Sequence, residues 1–463
     1  MRLNAATAQA CGLVLCAAVN GLATGAPCPV EVDIPADLGF EAMLGTSVAM
    51  DGDLLAVGAP LETGVAWATG AVYVYRLESG RWVHEARLIA EDAGWGDMLG
   101  VDVDLRGDTL IAGAWFNDAF GSNSGAAYVF TRDATGTWSM PQKLVPPDGA
   151  PEDAFGRTVA LGDGFCAIGA PLDDDQGTSS GSIHVFDQAP DGGWTHAAKL
   201  TQPATAEGHQ LGLGLAADGL RIVGGAPWAH ESRGEIVFWE RLEGTWLYRW
   251  NASMASVGEP EDFFGFSVSL DGDRMAVGCY RDDTYGVDAG SMWIFEAVFD
   301  GWAFWQYPPP APQAGAQFGV SVAMSGDRVL VGSRYAIVDG VDGGRVDVFA
   351  RSGKVWAAAE VLHPPTPATE AEFGWALDIQ GDHAVVGALY EPDNGAVHAW
   401  RGLLDSCACT GDLDGDGDVG VNDLLTVLEG WGGDGSQGDV NGDGQTGVDD
   451  LLALIAVWGS CDP

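Results

Sequence analysis

Two twelve-residue segments, DLDGDGDVGVND at 412–423 and DVNGDGQTGVDD at 439–450, share one layout and start 27 residues apart. Their residue types suit a hard divalent cation. Positions 1, 3 and 5 offer side-chain oxygens, a glycine at position 6 makes the sharp turn, position 7 gives a backbone carbonyl, and position 12 closes the shell with a carboxylate. In the first segment those ligand places fall to Asp412, Asp414, Asp416, Asp418 and Asp423, and in the second to Asp439, Asn441, Asp443, Gln445 and Asp450. Gly420 and Gly447 at position 9 have no side-chain oxygen, so water must fill that vertex. The expectation is two Ca2+ ions. From 411 to 463 the chain has eleven Asp and one Glu but no Lys or Arg. Such a segment repels itself without cations, and ion binding should supply its folding energy.

Helix-forming residues follow each loop but do not precede it. LLTVLEGW from Leu424 and LLALIAVW from Leu451 place apolar residues at matching offsets, whereas DSCACTG and GGDGSQG, which lead into the loops, do not propagate a helix. One short helix cannot bury such a stripe, so the two exit helices should pack on each other. Two EF-hand-like loop–helix motifs over 411–459 resemble a type I dockerin, the module that plugs proteins into cohesin receptors of bacterial polysaccharide-degrading assemblies. The resemblance implies calcium binding and docking to a cohesin-like or cell-surface partner. Cellulosomal dockerins usually carry a Ser-Thr type pair at positions 10 and 11, and this chain has Val421-Asn422 and Val448-Asp449 there.

Ahead of this tail a unit of 53 to 56 residues recurs seven times, opened by Gly45, Gly100, Gly156, Gly212, Gly265, Gly319 and Gly374. A second glycine falls thirteen residues after each opener (Gly58 to Gly387), and a third starts each later apolar run (Gly70 to Gly395). Each unit reads as four short strands divided by turn-formers, as in TSVAM, LLAVGAP, GAVYVYR and WVHEARL of the first. In the first strand, residues three and five after the opener are apolar, while residues two and four are mostly small, as suits a blade tapering toward an axis. The fold class expected is an all-β seven-bladed propeller over 27–402, then a linker at 403–410 and a small α calcium-binding domain at 411–463. The seventh unit stops after its third strand, so residues 30–34 (VEVDI) are expected to close the last blade and latch the ring. The motif FGxSVAxxGDxLAVGAP, followed by GAVYVY and a Trp, resembles the FG-GAP repeat, best known from the seven-bladed head of integrin α chains. Integrin-type blades often hold calcium between the first and second strands. Here that link is a tight DGD or SGD turn without room for a cage, so propeller calcium is not carried over.

Asp102, Asp104 and Asp378 are the acids among the otherwise small inner-strand positions. They lie on units two and seven, which flank unit one, and a close carboxyl pair there would suit glycoside hydrolysis. These are the catalytic candidates. A GTSSG match at Ser179 lies in a loop between strands rather than at a strand-to-helix elbow, so it is accidental. His184 and His398 fill one repeat position that other units give to Tyr, Val, Trp or Asp, which reads as a variable blade-surface position. Acidic runs at 173–175 and 282–283 read as solvated loops, and the tryptophans opening outer strands (Trp82 to Trp356) read as packing between blades.

Against 66 acids the chain has 21 Lys and Arg, a net charge of −45, which disfavours nucleic acid and anionic membranes as partners. Residues 1–26 carry Arg2, the apolar run ACGLVLCAAV and a small-residue end at Thr24-Gly25-Ala26, the pattern of a secretory signal, and no later run is long enough to span a bilayer. Export permits disulfides. Cys28–Cys407 would lock the ring and Cys409–Cys461 would staple the tail, with Cys407 and Cys409 interchangeable, while Cys166 and Cys279 lie on non-adjacent units as buried thiols. The reading is a secreted, non-catalytic binding or scaffold protein whose propeller recognises a protein or glycan. A polysaccharide-degrading enzyme docked into an extracellular complex is the alternative.

Overall fold

The computed structural model describes residues 27–35, 38–39, 41–203, 207–255, 258–299, 301–364, 367–391, 394–403, 413, 418–432, 438, 440, 445–456 and 459–460. Of residues 418, 453, 456, 459 and 460 only the backbone is described. The chain divides into a large unit over Val30–Ala399 and a second unit that includes Trp400–Pro463.

Seven four-stranded sheets make up the propeller, and six of them follow chain order from first strand to fourth. Blade one is Val48–Asp51, Leu54–Ala59, Ala71–Glu78 and Arg81–Leu88. Blade seven takes its first three strands from Phe373–Gln380, His383–Ala388 and Ala396–Arg401, and its fourth from Cys28–Val30 at the other end of the chain. The residues after that strand turn to blade one, where Val32 bridges Trp82. Within a blade the tight turns sit on glycines of positive φ, such as Gly52 (61°) and Gly107 (55°), where a side chain would be strained.

The three glycine columns meet at the seams between blades. At the junction of blades two and three, a Cβ on Gly113 would strike the carbonyl oxygen of Gly156, one on Gly125 would strike the Phe155 carbonyl, and one on Gly156 would strike the Ala126 carbonyl. Gly125 and Gly156 also hold φ near +86°. The same contacts recur around the ring, and parallel bridges mark all seven junctions, from Gly70 with Leu99 to Leu44 with Gly395. Blades therefore touch backbone to backbone, with no room for a methyl group.

A second ring of contacts joins the first hairpins. Asp51, Asp218, Asp271, Ser325 and Gln380 each accept from the hairpin glycine amide of the next blade, at 2.5–3.2 Å. Arg106 with Asp163, and the Asp163 amide with the Gly219 carbonyl, complete the two remaining junctions. Apolar residues three and five after the opener face the preceding blade: Val103 and Leu105 pack with Ala49, Ala56, Val72 and Val74. The outer tryptophans also bridge blades, with the Trp138 indole donating to Glu85 and the Trp356 indole to Glu296. Free Cys166 and Cys279 are buried.

Three readings of the sequence need correction. The strand that closes the last blade is Cys28–Val30 rather than residues 30–34, because Val32 already pairs with Trp82 of blade one. His184 is not on the surface: it is 1% exposed, with Nδ1 3.1 Å from His196 Nε2 and Nε2 3.3 Å from Ser182 Oγ. Nor are the acidic runs wholly solvated, since Asp173 and Asp282 are buried and each accepts the hydroxyl of a third-strand serine, Ser182 or Ser291, at 2.6 Å. Burial of a polar side chain requires such a partner, and the sequence shows the acids without showing the hydroxyls opposite them.

In the second unit, helix α1 (Val421–Glu429) and helix α2 (Val448–Ala456) share a small core in which Val427 and Leu454 meet Val419 and Val440. Strand Asp418–Val419 pairs antiparallel with Gly459–Ser460. Among the described residues no helix is long and apolar enough to cross a membrane.

Gly113→Ala should destabilise the propeller by roughly 3 kcal/mol or more, because backbone at a seam cannot yield. Gly107→Ala, at a turn with nothing within 4 Å of the new Cβ, should cost only about 1 kcal/mol. Urea unfolding of both variants measures the gap, and equal costs would show that the seams are not tight.

Candidate binding site at the propeller mouth

Where the first strands begin, the blades surround a cavity of about 660 Å³. Its wall is built by one position repeated seven times, the residue immediately after the opening glycine: Thr46, Val101, Arg157, Leu213, Phe266, Val320 and Trp375. Each of these shares strand parity with the apolar residues three and five positions after the glycine, so it leans toward the preceding blade above the last packed layer. Arg157 lies over the Trp115 indole of blade two at 5.1 Å, and Trp375 lies beside Arg334 of blade six at 4.9 Å. Sequence reasoning passed over this column. Its signal was present, for this position ranges over Thr, Val, Arg, Leu, Phe and Trp while the residues three and five after the glycine stay apolar.

Loops between second and third strands supply the rest of the wall, including Leu61, Trp115, Tyr335 and Tyr390. Trp115 stacks on Phe116 at 3.9 Å. Arg334 is fixed on both faces, 4.6 Å from the Tyr335 ring, and its Nε donates to Gln317 at 2.7 Å. Glu372 accepts the Tyr335 hydroxyl at 2.8 Å and pairs with Arg334 at 3.5 Å, so these two charges offset each other.

The candidate acids lie along the inner strands, and each reaches to the next blade. Asp102 accepts the Val159 amide at 2.7 Å, Asp104 the Leu161 amide at 2.6 Å, and Asp378 the Met50 amide at 2.5 Å. Asp104 and Asp378 also accept their own following amides, from Leu105 and Ile379. Ser269 stands at the same repeat position as Asp104 and Asp378 and likewise accepts from Met324 of the next blade. Elsewhere hydroxyls do the fastening in reverse, as Ser47, Thr158, Ser267 and Ser321 donate to the next opening glycine's carbonyl. These aspartates thus bind neighbouring backbone. Of the three, Asp102 alone lines the mouth. Burial, opposed by the amides, pushes the Asp102 and Asp378 carboxyls up to about 7 and the Asp104 carboxyl up to about 6.

Of the expected calcium ligands, Asp412, Asp414, Asp416, Asp439, Asn441 and Asp443 lie outside the described residues, as does the side chain of Asp418. Asp423 and Asp450 are described and buried. Asp423 accepts the Leu413 amide at 2.6 Å and the Gly420 amide at 2.7 Å, and Asp450 accepts the Val440 and Gly447 amides at 2.9 and 2.7 Å. Position 12 of each loop therefore draws positions 2 and 9 together at the start of an exit helix. Gln445 is exposed. Cys28 is disulfide-bonded, and Cys407, Cys409 and Cys461 lie outside the described residues.

A carboxyl whose folded value is raised keeps its proton longer in the folded chain, so its penalty is absent below about pH 4 and complete above about pH 7. Stability should fall across that window as the three inner aspartates ionise. In an Asp102→Asn, Asp104→Asn, Asp378→Asn variant that contribution disappears, so the melting temperature of the native chain relative to the variant should drop from pH 4 to pH 8. A constant difference would refute it.

An FG-GAP repeat model matches residues 34–75, 82–130, 138–186, 254–295 and 356–400. No curated protein matches the chain. The matched stretches pass over the strands of blade four and the first three strands of blade six, yet those blades keep the same four strands, seam glycines and parallel bridges as the rest. The chain carries FG-GAP repeats within a seven-bladed propeller.

Proposed function

We propose that this chain is a non-catalytic binding or scaffold protein acting outside the cell. Its propeller holds a protein or glycan, and its C-terminal unit binds two Ca2+ ions and docks to a cohesin-like or cell-surface partner. One observation carries the propeller half. Among the described residues the exposed propeller tryptophans are Trp67, Trp95 and Trp228, at 49, 73 and 45%. All three lie in loops that join second to third strands or one blade to the next, and the loops of Trp67 and Trp95 also give Leu61 and Met98 to the mouth. Trp67 and Trp95 lie ring to ring at 5.0 Å. Exposed indoles gathered on one face mark a binding surface rather than a packing need.

The docking half is supported by the two exit helices. Val421, Leu425 and Leu428 on α1, and Val448, Leu452 and Ile455 on α2, are each about half exposed or more. Their spacing places each triplet on one helix face, and the triplets are related by the same 27-residue step as the loops. The inward pull of Asp423 and Asp450 on their loops is the geometry a closing carboxylate needs, which supports the ion reading.

Calorimetric titration of the full chain with CaCl2 after chelator treatment should show two ions bound per chain. Asp412→Ala with Asp439→Ala should abolish the heat while leaving the propeller's own unfolding transition in place. A native chain that gives no heat at millimolar Ca2+ would remove the ion and the docking mechanism together.

A further inference from the structure

We propose that the propeller mouth takes a carboxylated sugar, a uronic-acid-type residue of an acidic glycan, with its carboxylate on Arg157 and its ring against the aromatic wall. This rests on reading the mouth face as the binding face and adds the ligand's class.

Charge is the first argument. In a chain with 66 acids, arginines readily find carboxylates: Arg241 pairs with Asp187 at 2.6 Å and Arg345 with Asp347 at 2.6 Å. Arg157 does not. Its guanidinium makes no hydrogen bond or ion pair with any described residue, although it is half-buried and faces the cavity. Asp102, on the adjoining inner strand, has given one oxygen to the Val159 amide and forms no ion pair with Arg157. A partly buried cation with no hydrogen-bonded partner is costly: burial lowers the Arg157 value, and the charge of nearby Asp102 offsets this only in part. A bound carboxylate would relieve that cost through the paired N–H groups of the fork.

Shape is the second argument. A cavity of about 660 Å³ is in the size range of sites for compact ligands. Seven inner strands close around it, which suits a short saccharide more than an extended peptide. Trp115, Phe266, Tyr335, Trp375 and Tyr390 give the wall flat apolar faces between its few polar groups. A sugar ring carries C–H groups on one face and hydroxyls at its rim, so it needs this alternation, whereas a free inorganic anion would use the guanidinium alone.

The test is calorimetry of the full chain with a trisaccharide of glucuronic or galacturonic acid, the neutral trisaccharide of the same linkage, sodium acetate and a triglutamate peptide. The uronate trisaccharide should bind at least tenfold more tightly than the neutral one, and acetate should bind weakly. Arg157→Gln should weaken the uronate by roughly tenfold to a hundredfold, the scale of one charge-assisted hydrogen-bonded pair, with Arg157→Lys intermediate. Trp115→Ala should weaken uronate and neutral sugar alike. Arg106→Ala, on the hairpin face, should change nothing, and matching melting temperatures would show that the variants fold. Equal affinity for both sugars, or a uronate affinity unmoved by Arg157→Gln, would overturn the acidic-sugar assignment while leaving the mouth as a binding face. Preference for triglutamate over both sugars would overturn it in favour of an acidic peptide. If neither trisaccharide, acetate nor triglutamate gives heat with the native chain, the assignment of the mouth to a small sugar or anionic ligand is overturned.

Discussion

Seven sheets are held around one axis by backbone pressed against backbone. At each seam three glycines meet carbonyls of the adjoining blade, and a methyl group at any of them would collide. Close approach lets the parallel bridges form between blades and brings inner-strand hydroxyls within reach of the next opening carbonyl. The wedge shape follows from this: small residues where blades converge, large apolar ones where they diverge. Hydrogen-bonding side chains then occupy the positions that seam geometry exposes. An aspartate, serine or glutamine at the first hairpin meets an amide already placed for it.

That dependence explains why the architecture could be read from residues alone. A glycine demanded by collision leaves no alternative, so it recurs with the period of the blade, and three such columns reveal number, order and phase of the units. Ring closure was legible for the same reason, because the last unit lacked a strand that the first residues could supply. The closing strand is nonetheless Cys28–Val30, with Val32 already paired to Trp82. Strand ends of this sort depend on where the neighbouring chain permits pairing, which local alternation does not encode.

The site was less legible, and the reason is again physical. Asp102, Asp104 and Asp378 drew notice as acids among small residues, a pattern shared by catalytic carboxylates and by acceptors for backbone amides. Only the neighbouring strand distinguishes them. Once Val159, Leu161 and Met50 are seen to donate, the carboxylates belong with Ser269 as fasteners between blades. His184 misled for a similar reason: its partner His196 is on the adjacent strand, and no spacing within one strand announces a cross-strand pair. The proposed calcium loops would be the opposite case. All the ligands proposed for each lie within twelve consecutive residues, so spacing alone suggests the constellation, and the described carboxylates Asp423 and Asp450 make equivalent hydrogen bonds in the two copies.

Stability and recognition are assigned to different residues of the same strand. The opening glycine abuts the preceding blade, polar residues two and four places beyond it bind the next one, and the apolar residues three and five places beyond it pack on the preceding one. The residue immediately after the glycine has no such duty in common across the ring. It can be Thr, Val, Arg, Leu, Phe or Trp without disturbing a seam, and all seven of these side chains meet at the mouth. The repeat therefore retains one column in which side-chain chemistry can change at small structural cost, as the proposed recognition requires. The chain's charge narrows the choice further. With acids in threefold excess, the surrounding field repels anions, and the proposed anionic ligand needs a local cation that forms no hydrogen bond or close ion pair of its own. Arg157 is placed at that point, above Trp115 and at the wall of the cavity.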